Sequence, residues 1–150
     1  MSRKKMIFGT IAALLLALGD FLYWTLPFSL GKAVPKEDWN GAQLWYYDEN
    51  FDMRELVIDE ETLQKIVTNI DAERVTNRPR FRTISQPYFQ LYLYHGTGYP
   101  CSFTIVENGD ISIAAELDTD HRKYFDGGEE LYAYLRYASK NLPATFPVTE

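Results

Sequence analysis

Residues 88–117 read YFQLYLYHGTGYPCSFTIVENGDISIAAEL, and their alternation decides the fold. Successive side chains on a strand point to opposite faces. Phe89, Leu91 and Leu93 therefore share one face, and Tyr88, Gln90, Tyr92 and Tyr94 share the other. His95-Gly96-Thr97-Gly98 turns the chain, and residues 101–106 and 111–117 read as two further strands around Glu107-Asn108-Gly109. A two-residue Asn108-Gly109 loop pairs Ile105 with Ser112 and Phe103 with Ala114, which scatters the apolar groups. A three-residue loop pairs Ile105 with Ile111 and Phe103 with Ile113, and puts Gly109 in the left-handed position of a bulged turn. Directly opposed residues share a face, so only the second register gives one clean apolar side. Ser102, Thr104, Ser112 and Ala114 then join the tyrosines on the second face.

Working outward, residues 43–48 (QLWYYD) and 54–58 (RELVI) flank a turn and read as a hairpin. Asp59 is placed to cap a helix over residues 60–70. Glu60 and Glu61 suit its positive end, and Leu63, Ile66, Val67 and Ile70 form one apolar stripe. Residues 71–87 are less regular; Pro79 and Pro87 bracket a possible edge strand at 80–84. After Gly127-Gly128 a last helix is expected over residues 129–139, with Leu131, Leu135 and Ala138 inward and Tyr134 beside them. Pro143 and Pro147 end regular structure in a tail, residues 143–150. Grouped strands with two separate helices indicate an α+β domain over residues 41–142: a small antiparallel sheet with both helices on one face.

The amino terminus differs from this body. Arg3, Lys4 and Lys5 precede an uncharged run from Met6 to Gly19 that contains Leu14, Leu15 and Leu16, and FLYWTLPFSL follows Asp20. A basic start before an apolar run is a translocation signal. We read residues 1–31 as a retained signal anchor, because a helix over residues 6–26 rises about 31 Å, near the hydrocarbon thickness. Tyr23 and Trp24 then fall at the outer interface, where amphipathic aromatics collect. The alternative is a cleaved signal, since Ala17-Leu18-Gly19 offers small residues to a signal peptidase. Asp20 is the awkward residue: it lies about 21 Å along the helix from Met6 and must be protonated, offset or paired with another helix. The positive start keeps the N-terminus inside. The expected location is the cell membrane, crossed once, with the bulk of the chain outside the cytoplasm, or secretion if the segment is cut. Residues 32–40 (KAVPKEDWN) read as a tether.

Composition narrows the function. Of 150 residues, 15 are Lys or Arg and 21 Asp or Glu, for a net charge of −6, which argues against a non-specific nucleic-acid partner. A single cysteine excludes an intramolecular disulfide, and Cys101, inward on its strand, reads as a small core residue. Asp118, Asp120 and Glu129 match positions 1, 3 and 12 of a calcium loop, but Arg122 stands at position 5 and Lys123 where glycine is required. The loop is therefore read as solvated, with Asp126 helping to start the last helix, and no metal or cofactor is expected. His95 sits in a glycine turn and His121 among acids; no G-x-S-x-G, HExxH or phosphate-binding glycine loop is present.

Two surfaces remain as binding candidates. Tyr88, Tyr92 and Tyr94, with the small hydroxyl residues beside them, could hold a glycan or peptide by stacking and hydrogen bonds; the competing reading is a sheet surface covered by the tail or by residues 71–87. Arg74, Arg78, Arg80 and Arg82 crowd one segment of an acidic chain. In an extended chain Arg78, Arg80 and Arg82 share a side and could meet an anionic wall polymer or lipid headgroup. The competing reading is protection of an edge strand by positive charge. The chain is thus expected to be a membrane-anchored, non-enzymatic module binding a protein, peptide or glycan, in contact with the lipid bilayer. The alternatives are an accessory subunit whose Asp20 faces a larger membrane protein, and a small secreted hydrolase around His121.

Overall fold

The computed structural model describes residues 3–36, 38–80, 87–96, 100–114 and 122–144. Helix α1 (Arg3–Thr25) meets the body at its last turn, and its stretch Ile7–Thr25 is long and apolar enough to cross a membrane. Strand β1 (Phe28–Ser29) and a turn of 3-10 helix (Leu30–Lys32) follow. Then come β2 (Gly41–Tyr47), β3 (Met53–Leu56), α2 (Glu60–Ala72), β4 (Arg74–Arg78), β5 (Tyr88–Tyr94), β6 (Cys101–Val106), β7 (Ile111–Ala114), β8 (Lys123–Asp126) and α3 (Glu129–Ser139). The eight strands form one antiparallel sheet in the order β1-β4-β8-β7-β6-β5-β2-β3. The expected α+β class, with an antiparallel sheet and helices packed on one face, is the fold observed.

The alternation of β5 becomes burial: Phe89, Leu91 and Leu93 are buried, and the tyrosines between them are half-buried. Ile105 pairs with Ile111 and Phe103 with Ile113, as the three-residue turn requires, and Gly109 has φ +87°. These side chains meet Leu63, Ile66 and Ile70 of α2 and Leu131 and Leu135 of α3 in one core. Asp59 caps α2, accepting from the Thr62 N–H at 2.8 Å; the Thr62 side chain, and after it this backbone bond, hold its carboxyl below the usual range.

Four expectations need correction. The acidic loop continues into β8, inside the sheet, with Phe125 in the core. Asp126 does not start α3; it lies on β8 and pairs with Arg78, while Gly128 takes the cap position. The irregular stretch contains β4, six residues earlier than the expected edge strand; Arg80 lies in a bend beyond it, and residues 81–84, with Arg82, fall outside the described residues. On α3 the core receives Tyr132, whereas Ala138 is only partly buried. His121, residues 115–120 and most of the expected tail also lie outside the described residues.

The join between α1 and the body decides how the domain is held. Only Leu26 and Pro27 separate α1 from β1, which pairs with β4 and so adds the last strand of the sheet. Leu30 has no exposed surface, Phe28 packs edge-on against Phe125 at 5.8 Å, and Arg74 donates to the Pro27 carbonyl at 2.9 Å. The residues expected to act as a tether pack on the domain: Val34 is buried and Trp39 lies against the core.

Candidate binding surfaces

The sheet face away from the helices carries the first candidate. β2 pairs with β5 over its full length, with Tyr47 opposite Tyr88 and Trp45 opposite Gln90. Leu44 and Tyr46 fill the core, so Gln43, Trp45 and Tyr47 turn to the tyrosine side. The two strands together build an aromatic ladder. Tyr47 stacks on Tyr88 with centroids 4.6 Å apart and planes at 13°, and Trp45 meets Tyr92 edge-on at 5.3 Å. The Tyr94 hydroxyl donates to Gln43 Oε1 at 2.6 Å, and Thr104 Oγ1 donates to Gln90 Oε1 at 2.9 Å. Burial pushes the hydroxyls of Tyr47, Tyr88 and Tyr94 up, and neighbouring phenols add to it, so all three stay protonated donors.

One polar group on this face is left over. Trp45 Nε1 is shielded from solvent and has no hydrogen-bond partner among the described residues. A buried donor without an acceptor costs about 1–3 kcal/mol, and a ligand oxygen brought to it would recover part of that. The β6–β7 end of the face is closed: Thr104, Val106, Ser112 and Ala114 are buried. Its open part is therefore the β2–β5 half. Sequence reasoning placed Tyr88, Tyr92 and Tyr94 there but missed Trp45 and Tyr47. The alternation Gln43–Tyr47 carried their orientation; the pairing of β2 with β5, more than forty residues apart, was not readable.

The arginines separate by role. Arg78 lies between two carboxylates, 3.8 Å from Asp110 Oδ1 and hydrogen-bonded to Asp126, and Asp110 is 1 % exposed. Its charge is thus spent within the fold. Arg74 is engaged by the Pro27 carbonyl. Arg80 is exposed and forms no ion pair among the described residues.

A cleft of about 540 Å3 opens where the 3-10 turn meets the end of α2, lined by Gly31, Val34, Trp39, Ile70, Asp71 and His95. His95 Nδ1 is 2.9 Å from the Asp38 backbone carbonyl. Among the described residues no cluster of three or more His, Cys, Asp or Glu could hold a metal.

Comparison with known proteins leaves the fold without a template. No family model, no curated protein and no solved structure matches the chain. Its chemistry has to be read from the surfaces alone. Aromatic rings with hydroxyl and amide groups between them can stack on a flat apolar ring face while hydrogen-bonding to polar groups around it.

Proposed function

We propose that this chain is a single-pass membrane protein whose folded domain lies outside the cytoplasm and binds a glycan or peptide without transforming it. The aromatic ladder of Trp45, Tyr47, Tyr88, Tyr92 and Tyr94 carries the reading, since it sets five rings on one sheet face beside an unpartnered indole donor. Rings of this kind supply contact area at low entropic cost and dominate interfaces where they occur. The apolar stretch Ile7–Thr25 of α1 and the basic residues Arg3, Lys4 and Lys5 before it support the anchored, outward-facing arrangement.

The test uses the full chain in neutral nanodiscs, titrated with a panel of β-linked oligosaccharides and extended peptides while indole fluorescence is recorded. Tyr92→Ala should weaken the best binder by about tenfold or more through loss of one stacking partner and its buried area. Binding that is unchanged in Tyr92→Ala and in Trp45→Phe would remove the ladder from consideration. Asp20→Leu serves as the second arm. A membrane complex that dissociates on this change, with no ligand found for the ladder, points to the accessory-subunit alternative.

A further inference from the structure

Among the described residues, charge is unevenly placed along the edge of the sheet beside α1, and register shows which end faces the helix. β1 leads away from α1 and pairs antiparallel with β4, Phe28 opposite Val75 and Ser29 opposite Arg74. β4 therefore runs back toward α1. Its arrival is visible in one contact: Asn77 Nδ2 donates to the backbone carbonyl of Tyr23, in the last turn of α1, at 2.9 Å. Arg78, Pro79 and Arg80 follow directly. β8 is antiparallel to β4, with Arg78 opposite Tyr124, so it begins at the same end, where Arg122 and Lys123 stand. Arg80 and Lys123 are exposed, and among the described residues neither forms an ion pair. Arg122 reaches the Ser112 hydroxyl at 3.4 Å.

The opposite end of the same strands is acidic. Glu73 precedes β4, Asp126 ends β8, Asp110 precedes β7, and Glu129 and Glu130 open α3. Among the described residues, the end toward α1 thus carries Arg80, Arg122 and Lys123, and the far end carries these carboxylates. Three residues of extended chain cover about 10 Å, so Arg80 stays within that distance of the Asn77–Tyr23 contact. Headgroup layers add roughly 5–8 Å to each side of the hydrocarbon core. With Tyr23 and Trp24 at the interface, Arg80 reaches the phosphates. Arg82, Glu116, Asp118 and Asp120 lie outside the described residues and carry no part of this argument.

We propose that Arg80, Arg122 and Lys123 form a docking surface for anionic phospholipid headgroups in the leaflet where α1 emerges. The proposal rests on α1 being an anchor and is independent of the aromatic ladder. Detergent-solubilised full-length chain, mixed with equal amounts of phosphatidylglycerol and phosphatidylcholine, is read by native mass spectrometry for retained lipid. Wild type should retain phosphatidylglycerol preferentially, less so as salt rises. Arg80→Gln and Lys123→Gln should each cut that preference about fivefold. Lys65→Gln, on α2 and paired with Glu61 in the wild type, should leave it unchanged. Equal retention of the two lipids, or an undiminished preference in the double variant, overturns the proposal. So does a stronger hold on soluble poly(glycerol phosphate) than on phosphatidylglycerol, which would make the ligand a polymer. Alkaline carbonate extraction separates the two readings. A chain that stays in the membrane pellet yet shows no lipid preference overturns docking alone, whereas release into the supernatant overturns the anchor and docking together.

Discussion

Glu73 is buried between the end of α2 and the start of α3, and its backbone carbonyl accepts from the Leu30 N–H at 2.9 Å. Desolvation raises its carboxyl to about 7, against the lowering effect of the Leu131 N–H and with added repulsion from Glu130 and Glu129. The folded state therefore holds this proton more tightly than the unfolded chain, whose carboxyl titrates near 4.5. Stability from this group is complete below about 4.5 and is lost as pH rises toward 7. The loss is on the order of 3 kcal/mol. Melting temperatures of wild type should fall across that window, and Glu73→Gln should flatten the fall and melt higher at pH 8. A wild-type profile as flat as the variant's would refute this. No sequence pattern announces such a residue. It sits just past an amphipathic helix, in a stretch that reads as a solvated connection, and only the packing of α3 above it takes the water away. By contrast Gly109 was legible, since two apolar strands around Glu107-Asn108-Gly109 admit one register with a common face.

At the scale of elements, β4 and β8 are held by charge as well as by backbone pairing. Arg78 on β4 bonds Asp126 on β8 and reaches Asp110 at the start of β7, so one side chain ties three strands. Asp110 also accepts from Asn108 Nδ2 at 3.2 Å, which fixes it within the turn. Removing the cation strands a buried carboxylate, at a cost of about 3–5 kcal/mol. Arg78→Met should therefore lower the midpoint of urea unfolding sharply, and Asp110→Asn in that background should restore part of it. A double-mutant cycle showing independent effects would place the stabilisation elsewhere. These are the strands that sequence reasoning did not find. RVTNR and KYFD each offer one fully buried apolar residue, Val75 and Phe125, which is too little for alternation to register. Their strand character comes from neighbours far along the chain. Helices α2 and α3 and the β5–β6–β7 meander carry their own pattern of buried residues, and over the described residues they were readable within a residue or two.

For the whole molecule, the boundary between the apolar helix and the domain was the least legible feature. Past Asp20 the apolar run continues from α1 through Leu30, yet Phe28 and Leu30 belong to the edge of the sheet and its core. Apolar residues in a spanning helix and in a buried strand look alike in sequence; the partner decides, and here β4 is the partner. Truncation makes the distinction measurable. A chain beginning at Pro27 should retain cooperative thermal unfolding, whereas one beginning at Lys32 should lose it. The shorter chain lacks the Leu30 side chain, worth about 2–5 kcal/mol, and leaves the edge of β4 unpaired. Equal melting of the two would show that β1 is dispensable. The same geometry bears on the cleaved-signal alternative: the stub left by a cut after Gly19 would remain bound through the Tyr23 carbonyl and β1.

A joint of two residues between rod and body would also limit where a ligand of the proposed kind could be met. A module on a slack leash sweeps a hemisphere, and its catch can float well above the surface. A head fixed to a stiff stalk cannot. Rooted in a bilayer by α1, this one would patrol a layer no deeper than its own diameter, about 35 Å for a body of this size. It would meet either molecules gliding in the same plane or polymers that hang down to touch it.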